Sequence, residues 1–194
     1  MFTGIVEAVG TIQSIEGNKF TITHSFGEKF SVGESIALSG MCSTVLTANE
    51  KEFMVEIMLE SRRRTTFGVD LVGDKVNLER SAQIGARNSG HFVTGHIDEV
   101  GNIASLFRDG DAWRVRISFS KQNAELVVEK GSIGIDGCSM TVAACGDTWL
   151  EVCVISHTFG ETLFGTKKEG ESVNLEFDIL GKYILRKAEL DSVE

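Results

Sequence analysis

The feature that most constrains this 194-residue chain is an internal repeat. Three blocks of the first half return in the second: TGIVEAVGTI (3–12) as TGHIDEVGNI (94–103), SIALSGMCSTV (35–45) as SIGIDGCSMTV (132–142), and FGVDLVGDKVNLE (67–79) as FGTKKEGESVNLE (164–176). Such a repeat fits a duplicated domain of roughly 100 residues better than a solenoid, whose units have about 20 to 50. The sequence therefore predicts two small domains with one fold.

Short segments of alternating apolar and polar residues occur in both halves. In one of them, Trp113, Val115 and Ile117 alternate with Arg114 and Arg116. This period of two indicates half-buried strands. The chain has 21 glycines and no proline, so its turns must obtain positive φ from Gly, Asn and Asp. Many short strands whose edges need closure predict an all-β fold of two small antiparallel barrels.

Two segments depart from the strand pattern. Residues 121–129, KQNAELVVE, can form a short helix. Residues 180–190, LGKYILRKAEL, place Leu180 and Ile184 on one side, with Tyr183 nearby, which predicts an amphipathic helix. An apolar helix face at the end of a closed barrel either packs on its own domain or docks to another subunit.

Charge and composition exclude several classes of protein. The net charge of −9 argues against a nucleic-acid partner, because phosphate backbones are bound by clustered Lys and Arg. The short basic run at 62–64 is interpreted as a surface strand or turn, or as a holder of an anionic or polyhydroxyl ligand. No stretch approaches the roughly 20 apolar residues of a membrane span. Four cysteines without C-x-x-C spacing point to reduced thiols, and the protein is expected to be cytoplasmic.

In a duplicated chain, the positions at which the copies differ chemically are the most informative. Those positions are Ile5 against His96, Ser39 against Asp136, Met41 against Cys138, Cys42 against Ser139, and Ser43 against Met140. A thiol, an imidazole, a carboxylate and hydroxyls are suited to proton transfer and nucleophilic addition if they share one cavity. The alternative interpretation is that Cys42 is a small buried apolar residue and His96 a hydrogen-bonded barrel histidine.

Common cofactor and metal motifs do not occur in the sequence. The histidines at 24, 91 and 157 are too scattered to predict a zinc site, and His91 and His96 would lie on opposite faces of a strand. There is no G-x-G-x-x-G fingerprint, no phosphate-binding loop and no G-x-S-x-G elbow. Redox-cofactor and nucleotide-hydrolysis functions are therefore disfavoured.

Six ordered motifs resemble the riboflavin synthase family of the alpha-chain type over nearly the whole chain. They are MFTGIVE, SGMCSTV, VNLER, SGHFVTGHID, KGSIGIDGCSMTV and VNLEFD. The resemblance implies an enzyme that moves a four-carbon unit between two molecules of 6,7-dimethyl-8-ribityllumazine. The products would be riboflavin and 5-amino-6-ribitylaminouracil, in the last step of riboflavin biosynthesis. The resemblance implies no cofactor and no metal.

The resemblance also implies an architecture and partners. Two tandem six-stranded antiparallel Greek-key barrels would occupy residues 1–90 and 91–178, and residues 179–194 would form an oligomerisation helix. The helix would hold a homotrimer, whose active sites form between the first barrel of one subunit and the second barrel of its neighbour. Association with lumazine synthase is a further partner hypothesis, and neither a nucleic acid nor a membrane is expected as a partner.

The copy differences and the resemblance together give the candidate residues. The catalytic candidates are Ser35, Cys42, His96, Asp136, Ser139 and Thr141. The substrate-binding candidates are Gly4, Ile5, Val6, Met41, Ser43, Thr44, Glu60, Ser61, Arg62, Gly95, Ile97, Lys130, Cys138, Met140, Ser156, His157, Thr158 and Phe159. His96, helped by Ser35 or Cys42, is predicted to manage deprotonation of the ring methyl group and nucleophile addition.

Four residues depart from the family pattern. Ser39, Ser43, Arg62 and Ser89 stand where Asn, Leu, Leu and Gly are usual, and Ser43 and Arg62 would lie in the pocket of the first barrel. The main alternative function is a lumazine-binding antenna protein, which holds its ligand without turnover. A flavin-binding barrel detached from a reductase is less favoured, because the chain leaves no length for a nucleotide-binding domain. For a site shared between subunits, inactive His96→Ala and Cys42→Ala chains are expected to complement each other when mixed.

Overall fold

A computed structural model describes residues 1–69 and 71–192, which form two closed six-stranded antiparallel barrels. The first barrel contains β1 (Ala8–Glu16), β2 (Lys19–Thr23), β3 (Ser35–Leu38), β4 (Met41–Ala48), β5 (Glu52–Glu56) and β6 (Lys75–Arg80). The second contains β7 (Glu99–Asp109), β8 (Ala112–Ser118), β9 (Ser132–Ile135), β10 (Cys138–Gly146), β11 (Trp149–Ile155) and β12 (Ser172–Phe177). The predicted all-β fold is confirmed.

Both barrels have the same strand order. Around the first barrel the strands run β1, β2, β5, β4, β3, β6, and the second repeats this order from β7 to β12. Three hairpin-connected strands, β3 to β5, lie beside β2, which is the Greek-key arrangement. The pairing register also shifts at equivalent places, between Val45 and Thr47 in one copy and between Val142 and Ala144 in the other. The duplication therefore extends to the irregularities of the sheet.

Each barrel is closed around its own apolar core. Inward residues of the first barrel include Ile12, Phe20, Ile22, Val45 and Phe53, all of which are buried. Their counterparts in the second barrel include Ile103, Val115, Ile117, Val142 and Leu150. Alternation along each strand leaves every second side chain on the outer surface, and this is where polar candidates such as Cys42, Thr44 and Thr141 lie.

Two tight turns meet between the barrels. Ser39 and Gly40 connect β3 to β4, Asp136 and Gly137 connect β9 to β10, and all four residues have positive φ. A Cβ on Gly40 would lie 2.8 Å from the nitrogen of Gly137, so glycine permits this close approach. Two-residue hairpin turns with positive φ at both positions favour Asn-Gly and Asp-Gly.

We expect Ser39→Asn to raise the free energy of unfolding by about 0.5–1 kcal/mol, since Asn tolerates the left-handed conformation better than Ser. Its side-chain oxygen can also keep the role of Ser39 Oγ, which accepts a hydrogen bond from the nitrogen of Asn77 at 3.2 Å. Urea unfolding of Ser39→Asn beside Ser39→Ala would measure this. Ser39→Ala should lower stability, and a loss of stability in Ser39→Asn would contradict the turn argument.

Two equivalent asparagines join the barrels reciprocally. Asn77 Nδ2 donates to the carbonyl of Asp136 at 2.9 Å, and its Oδ1 accepts from the nitrogen of Leu163 at 2.9 Å. Asn174 Nδ2 donates to the carbonyl of Ser39 at 3.0 Å, and its Oδ1 accepts from the nitrogen of Thr66 at 2.8 Å. Both side chains are buried, so these contacts satisfy backbone groups that water does not reach.

The structure contains three α-helices among the described residues: α1 (Leu59–Arg64), α2 (Ser156–Glu161) and α3 (Ile179–Asp191). The interpretation of residues 62–64 as a surface strand or turn was wrong, because they form the last turn of α1. The short helix predicted at 121–129 is a 3-10 helix at Lys121–Leu126, and further 3-10 turns lie at Thr66–Gly68 and Leu163–Gly165. Within the described part of the chain, no helix is long and apolar enough to cross a membrane.

The terminal helix α3 is fixed to the second barrel at one end. Asp178 caps it by accepting from the nitrogen of Leu180 at 2.9 Å, and Lys182 forms an ion pair with Asp98 at 2.7 Å. Its apolar side is uncovered within the chain, where Leu180, Tyr183 and Ile184 are 61%, 72% and 69% exposed. The predicted C-terminal helix is confirmed. Leu180, Tyr183 and Ile184 do not pack on its own barrel, whereas Ile179 and Leu185 on the other side of the helix are half-buried.

Candidate active site

Two short segments cross between the barrels and are central to the site. We define the first arm as residues 2–6 and the second arm as residues 93–97. An antiparallel bridge joins them, with the nitrogen of Phe2 donating to the carbonyl of Val93 at 2.7 Å. Phe2 and Val93 are buried together with Ala37, and Cys42 packs against them. Each arm precedes the first strand of one barrel but is placed to reach the other.

Each arm rests on the barrel of the opposite half. The nitrogen of Cys42 donates to the carbonyl of Gly95 at 2.9 Å, and the nitrogen of Ser139 donates to the carbonyl of Gly4 at 2.7 Å. Ile97 packs against the core of the first barrel, and Val6 packs against the core of the second. The structure therefore brings the second arm to Cys42 and the first arm to Ser139.

The first site lies on the outer surface of the first barrel, between β4 and the start of α1. A cavity of about 280 Å³ is lined there by Met41, Cys42, Ser43, Thr44, Leu46, Glu56, Ile57, Met58 and Ser61. Ser35 pairs with Thr44 across the β3 and β4 strands but does not line this cavity, and its catalytic role stays a prediction. The exposed His96 stands on the second arm between two residues that contact this barrel, Gly95 and Ile97.

Equivalent polar residues lie on the second barrel. Ser139 and the exposed Thr141 follow one another on the outer face of β10, where Thr141 pairs with Ser132 as Thr44 pairs with Ser35. Cys138 and Met140 point inward and are buried. Burial raises the pKa of the Cys138 thiol to about 12, so this sulfur stays protonated and packs as a small apolar group.

His91 is a site residue that the sequence reasoning missed. Its Nδ1 lies 2.7 Å from Ser139 Oγ, and burial lowers the pKa of the imidazole below its ordinary value of 6.5. A neutral imidazole can accept the proton of the serine hydroxyl, which is the arrangement of an activated nucleophile or proton relay. His91 precedes the repeated block and has no counterpart in the first half, so the comparison of copies could not single it out.

We expect His91→Ala to lower kcat by about 100-fold, which is the lower range for losing a general base. Combined with Ser139→Ala, it should cost little more, because the two side chains act together. Because the neutral imidazole must accept the proton and burial lowers its pKa, the fall of activity on acidification should lie below the ordinary imidazole pKa of 6.5, and His91→Asn should remove this acid limb. Steady-state rates across pH would test this, and additive effects of the two substitutions would contradict the pairing.

The remaining catalytic candidate, Asp136, lies in the turn before β10. Its Oδ1 accepts a hydrogen bond from the nitrogen of Asn174 at 2.8 Å, and Oδ2 lies 3.8 Å from Lys167 Nζ. The side chain is buried, so the geometry supports a role in holding the turn. Its catalytic role stays a prediction. Lys130 is exposed just before β9, with its backbone nitrogen donating to the carbonyl of Val142 at 2.8 Å.

The helices next to the pockets differ between the copies. In α1, the Arg62 guanidinium donates to the carbonyls of Gly17 and Phe67, each at 3.3 Å, so it is directed toward backbone groups. Glu60 pairs with Arg64 at 2.6 Å. In α2, Phe159 occupies the position of Arg62 and stacks on Trp113 with ring centroids 4.0 Å apart. The predicted contacts of Glu60, Ser61 and Arg62 with a ligand stay predictions.

Two other cavities are lined by a few of the residues predicted to form the site. Val6 and His157 line a cavity of about 450 Å³ between the first arm and α2, the helix that also carries Ser156, Thr158 and Phe159. The larger cavity, of about 680 Å³, lies around Arg80 and contains Ile5 but none of the catalytic candidates. Of the catalytic candidates, Cys42 lies on β4, Ser139 and Thr141 lie on β10, and His96 lies on the second arm. The described residues contain no cluster of His, Cys, Asp or Glu suited to a metal ion.

Comparison with known proteins identifies the family. The model of the lumazine binding domain matches residues 3–81 and again residues 94–178. The riboflavin synthase of Bacillus amyloliquefaciens is 39% identical over 96% of this chain and 89% of its own length. That of Actinobacillus pleuropneumoniae is 40% identical over 95% of this chain and 88% of its own length.

Solved structures of LumP have the same arrangement. LumP complexed with riboflavin superposes with a TM-score of 0.85 at 27% identity, covering 92% of this chain and all of the LumP chain (100%). LumP complexed with 6,7-dimethyl-8-(1'-D-ribityl) lumazine has a TM-score of 0.82 at 27% identity, covering 92% and 99%. With both halves matched and curated relatives aligned over almost their full length, the chain belongs to the riboflavin synthase family of duplicated lumazine-binding proteins.

Proposed function

We propose that the protein converts two molecules of 6,7-dimethyl-8-ribityllumazine into riboflavin and 5-amino-6-ribitylaminouracil. The observation that carries this proposal is the pair of related but chemically unlike sites, one with Cys42 beside the second arm and one with Ser139 beside the first. A reaction between two identical molecules suits two copies of one binding fold. The donor and the acceptor of the four-carbon unit need different chemistry, which suits the differences between the copies.

The reaction balances without an external oxidant or reductant. Two lumazines supply all the atoms of the two products, because one lumazine gives its four-carbon unit and the other receives it. The protein must remove a proton from an acidic ring methyl group, supply a nucleophile to the partner ring, and later accept the released groups. Imidazoles, hydroxyls and a thiol serve these steps, and holding two rings together removes much of the entropic barrier.

We assign the groups of each site to these steps. In the first site, the thiol of Cys42 acts as the nucleophile, and His96 exchanges a proton with the ligand. In the second site, Ser139 and its partner His91, 2.7 Å away, form the proton-transfer pair, with Thr141 one outward position further along β10. The backbone edges of both arms and of β4 and β10 bind the pyrimidine rings.

An antenna-type function is the alternative. The structures that superpose include LumP with bound ligands at 27% identity, whereas the riboflavin synthases of two bacteria reach 39% and 40%. The chain also carries Cys42, His91, His96 and Ser139, a reactive set that a protein holding its ligand passively does not need. The enzyme is therefore favoured over the antenna.

We further propose that the active protein is a cytoplasmic homotrimer. The uncovered apolar side of α3, with Leu180, Tyr183 and Ile184, is suited to pack against the same helix of other subunits. The first site of one subunit would then face the second site of its neighbour. The four cysteines are free, which fits a reducing compartment. Association with lumazine synthase stays a prediction.

Incubation of the purified protein with 6,7-dimethyl-8-ribityllumazine and no added cofactor tests the proposed reaction. Absorbance should show riboflavin appearing at half the rate of lumazine loss. A Cys42→Ala/Ser139→Ala double variant is the matched control, because it keeps the backbone edges that bind the ligand but should form no product. Tight binding of lumazine by the unaltered protein, without turnover, would overturn the enzyme proposal in favour of the antenna.

A further inference from the structure

Two buried carboxylates stand at the base of the arms. Glu79 in β6 and Glu176 in β12 occupy equivalent positions in the repeat, and the two residues are only 5% and 2% exposed. Burying a carboxylate is costly unless hydrogen bonds compensate, so the partners of these two groups indicate their purpose. Both sets of partners lie on an arm.

The hydrogen bonds of the two carboxylates are nearly identical. Glu176 Oε1 accepts from the nitrogen and from Oγ1 of Thr94 at 2.6 and 2.7 Å, and Oε2 accepts from the nitrogen of Gly95 at 3.0 Å. Glu79 accepts from the nitrogen and Oγ1 of Thr3, both at 2.7 Å, and from the nitrogen of Gly4 at 3.0 Å. Three hydrogen bonds to one charged group define both the position and the orientation of the short peptide.

The residues that these carboxylates hold are those that touch the opposite barrel. The peptide fixed by Glu176 places the Gly95 carbonyl on the nitrogen of Cys42 and then continues into His96. The peptide fixed by Glu79 places the Gly4 carbonyl on the nitrogen of Ser139 and continues into Ile5. Each carboxylate therefore belongs to one barrel but acts on the arm that completes the site of the other.

We propose that Glu176 is a positioning residue for the ligand site of the first barrel, and Glu79 a positioning residue for the ligand site of the second. This crosswise assignment rests on the proposed function. It predicts which site loses affinity for each substitution, whereas a merely structural carboxylate would weaken both sites together or neither. Shared Glu residues of the repeat thus act on function as well as fold.

Site-resolved binding of riboflavin can test the assignment. Thr44 and Thr141 are equivalent, exposed residues on β4 and β10, so Thr44→Trp should block the first site and Thr141→Trp the second. Glu176→Gln and Glu79→Gln are then introduced into each of these two full-length variants. Glutamine keeps the size of the side chain, but it replaces one carboxylate oxygen by an NH2 group. This NH2 group cannot accept a hydrogen bond from the backbone N–H that the oxygen accepted.

Riboflavin affinity is read from quenching of flavin fluorescence in the four combinations. With the first site open, Glu176→Gln should weaken binding by about tenfold or more, and Glu79→Gln by less than about twofold. With only the second site open, the two effects should exchange. Equal losses in both sites, or losses in the carboxylate's own barrel, would overturn the assignment.

Two further outcomes keep the test decisive. If either Glu→Gln variant does not fold, Thr94→Val and Thr3→Val remove one hydrogen bond from the same carboxylates with little change in shape. They should give the same crosswise pattern with smaller shifts, of about threefold. If neither blocked parent binds riboflavin at all, the proposed function itself fails and the assignment fails with it. If the Thr44→Trp and Thr141→Trp variants bind riboflavin but the crosswise pattern is absent, only the assignment of Glu79 and Glu176 is overturned, and the proposed function stands.

Discussion

Gly95→Ala should lower the rate of riboflavin formation by at least about 100-fold, because the added methyl group cannot fit beside Cys42. A Cβ at this position would lie 2.4 Å from Cys42 Cβ and 2.9 Å from its nitrogen. Both distances are shorter than any stable contact, so the second arm must lift from the first barrel. His96 would move with the arm, and the hydrogen bond from the nitrogen of Cys42 to the carbonyl of Gly95 would be lost.

Backbone strain must be separated from this clash, and the chain offers a matched control. Gly95 has a φ of +84°, which already disfavours alanine by about 1–2 kcal/mol. Gly170 has a φ of +87°, but a Cβ there would meet no atom within 4 Å. Gly170→Ala should therefore lower the melting temperature slightly and leave kcat/KM unchanged. If Gly95→Ala kept half of the normal activity, the arm could not be part of the site.

Much of the fold could be predicted from local sequence patterns. The alternation at residues 113–117 predicted a strand there, which the structure confirms as part of β8 (Ala112–Ser118), and the repeat indicated that both halves share one fold. The helix α1 was missed because it has six residues, no side-chain cap and three adjacent arginines that suggest no helical face. Short elements of this kind are stabilised by tertiary contacts, here the hydrogen bonds from Arg62 to two carbonyls.

The crossing of the arms could not be predicted in the same way. In a duplicated chain, an arm packed on its own barrel and an arm packed on the other leave identical local patterns in the sequence. The choice depends on contacts between distant residues, such as Phe2 with Val93 and Gly4 with Ser139. His91 was not predicted as a site residue for a related reason. Its partner Ser139 lies 48 positions away in the sequence, and His91 lies outside the repeated blocks.

The crossing changes which pair of inactive chains should complement each other. The sequence alone led to the expectation that Cys42→Ala and His96→Ala chains regain activity when mixed, since the two residues lie in different halves. The structure places the second arm on the first barrel, so both substitutions damage the first site. In a mixture of these chains every first site is damaged, and we expect no recovery.

Cys42→Ala mixed with Ser139→Ala should behave differently. In the proposed trimer, a working active site needs an intact first site from one subunit and an intact second site from the next. Random mixing in equal amounts gives this combination at about a quarter of the interfaces, so about a quarter of the unaltered activity should return. Each parent alone should stay inactive, because each carries the same lesion in all subunits.

Subunit exchange must be shown independently, for example with fluorescently labelled chains, before the rates of riboflavin formation are compared. Recovery by Cys42→Ala with Ser139→Ala, and none by Cys42→Ala with His96→Ala, would support both the intersubunit site and the crossed arms. Recovery by both mixtures would mean that His96 serves the second site, against the geometry of the second arm. Absence of recovery in both, after proven exchange, would confine each active site to a single subunit and remove the proposed reason for the trimer.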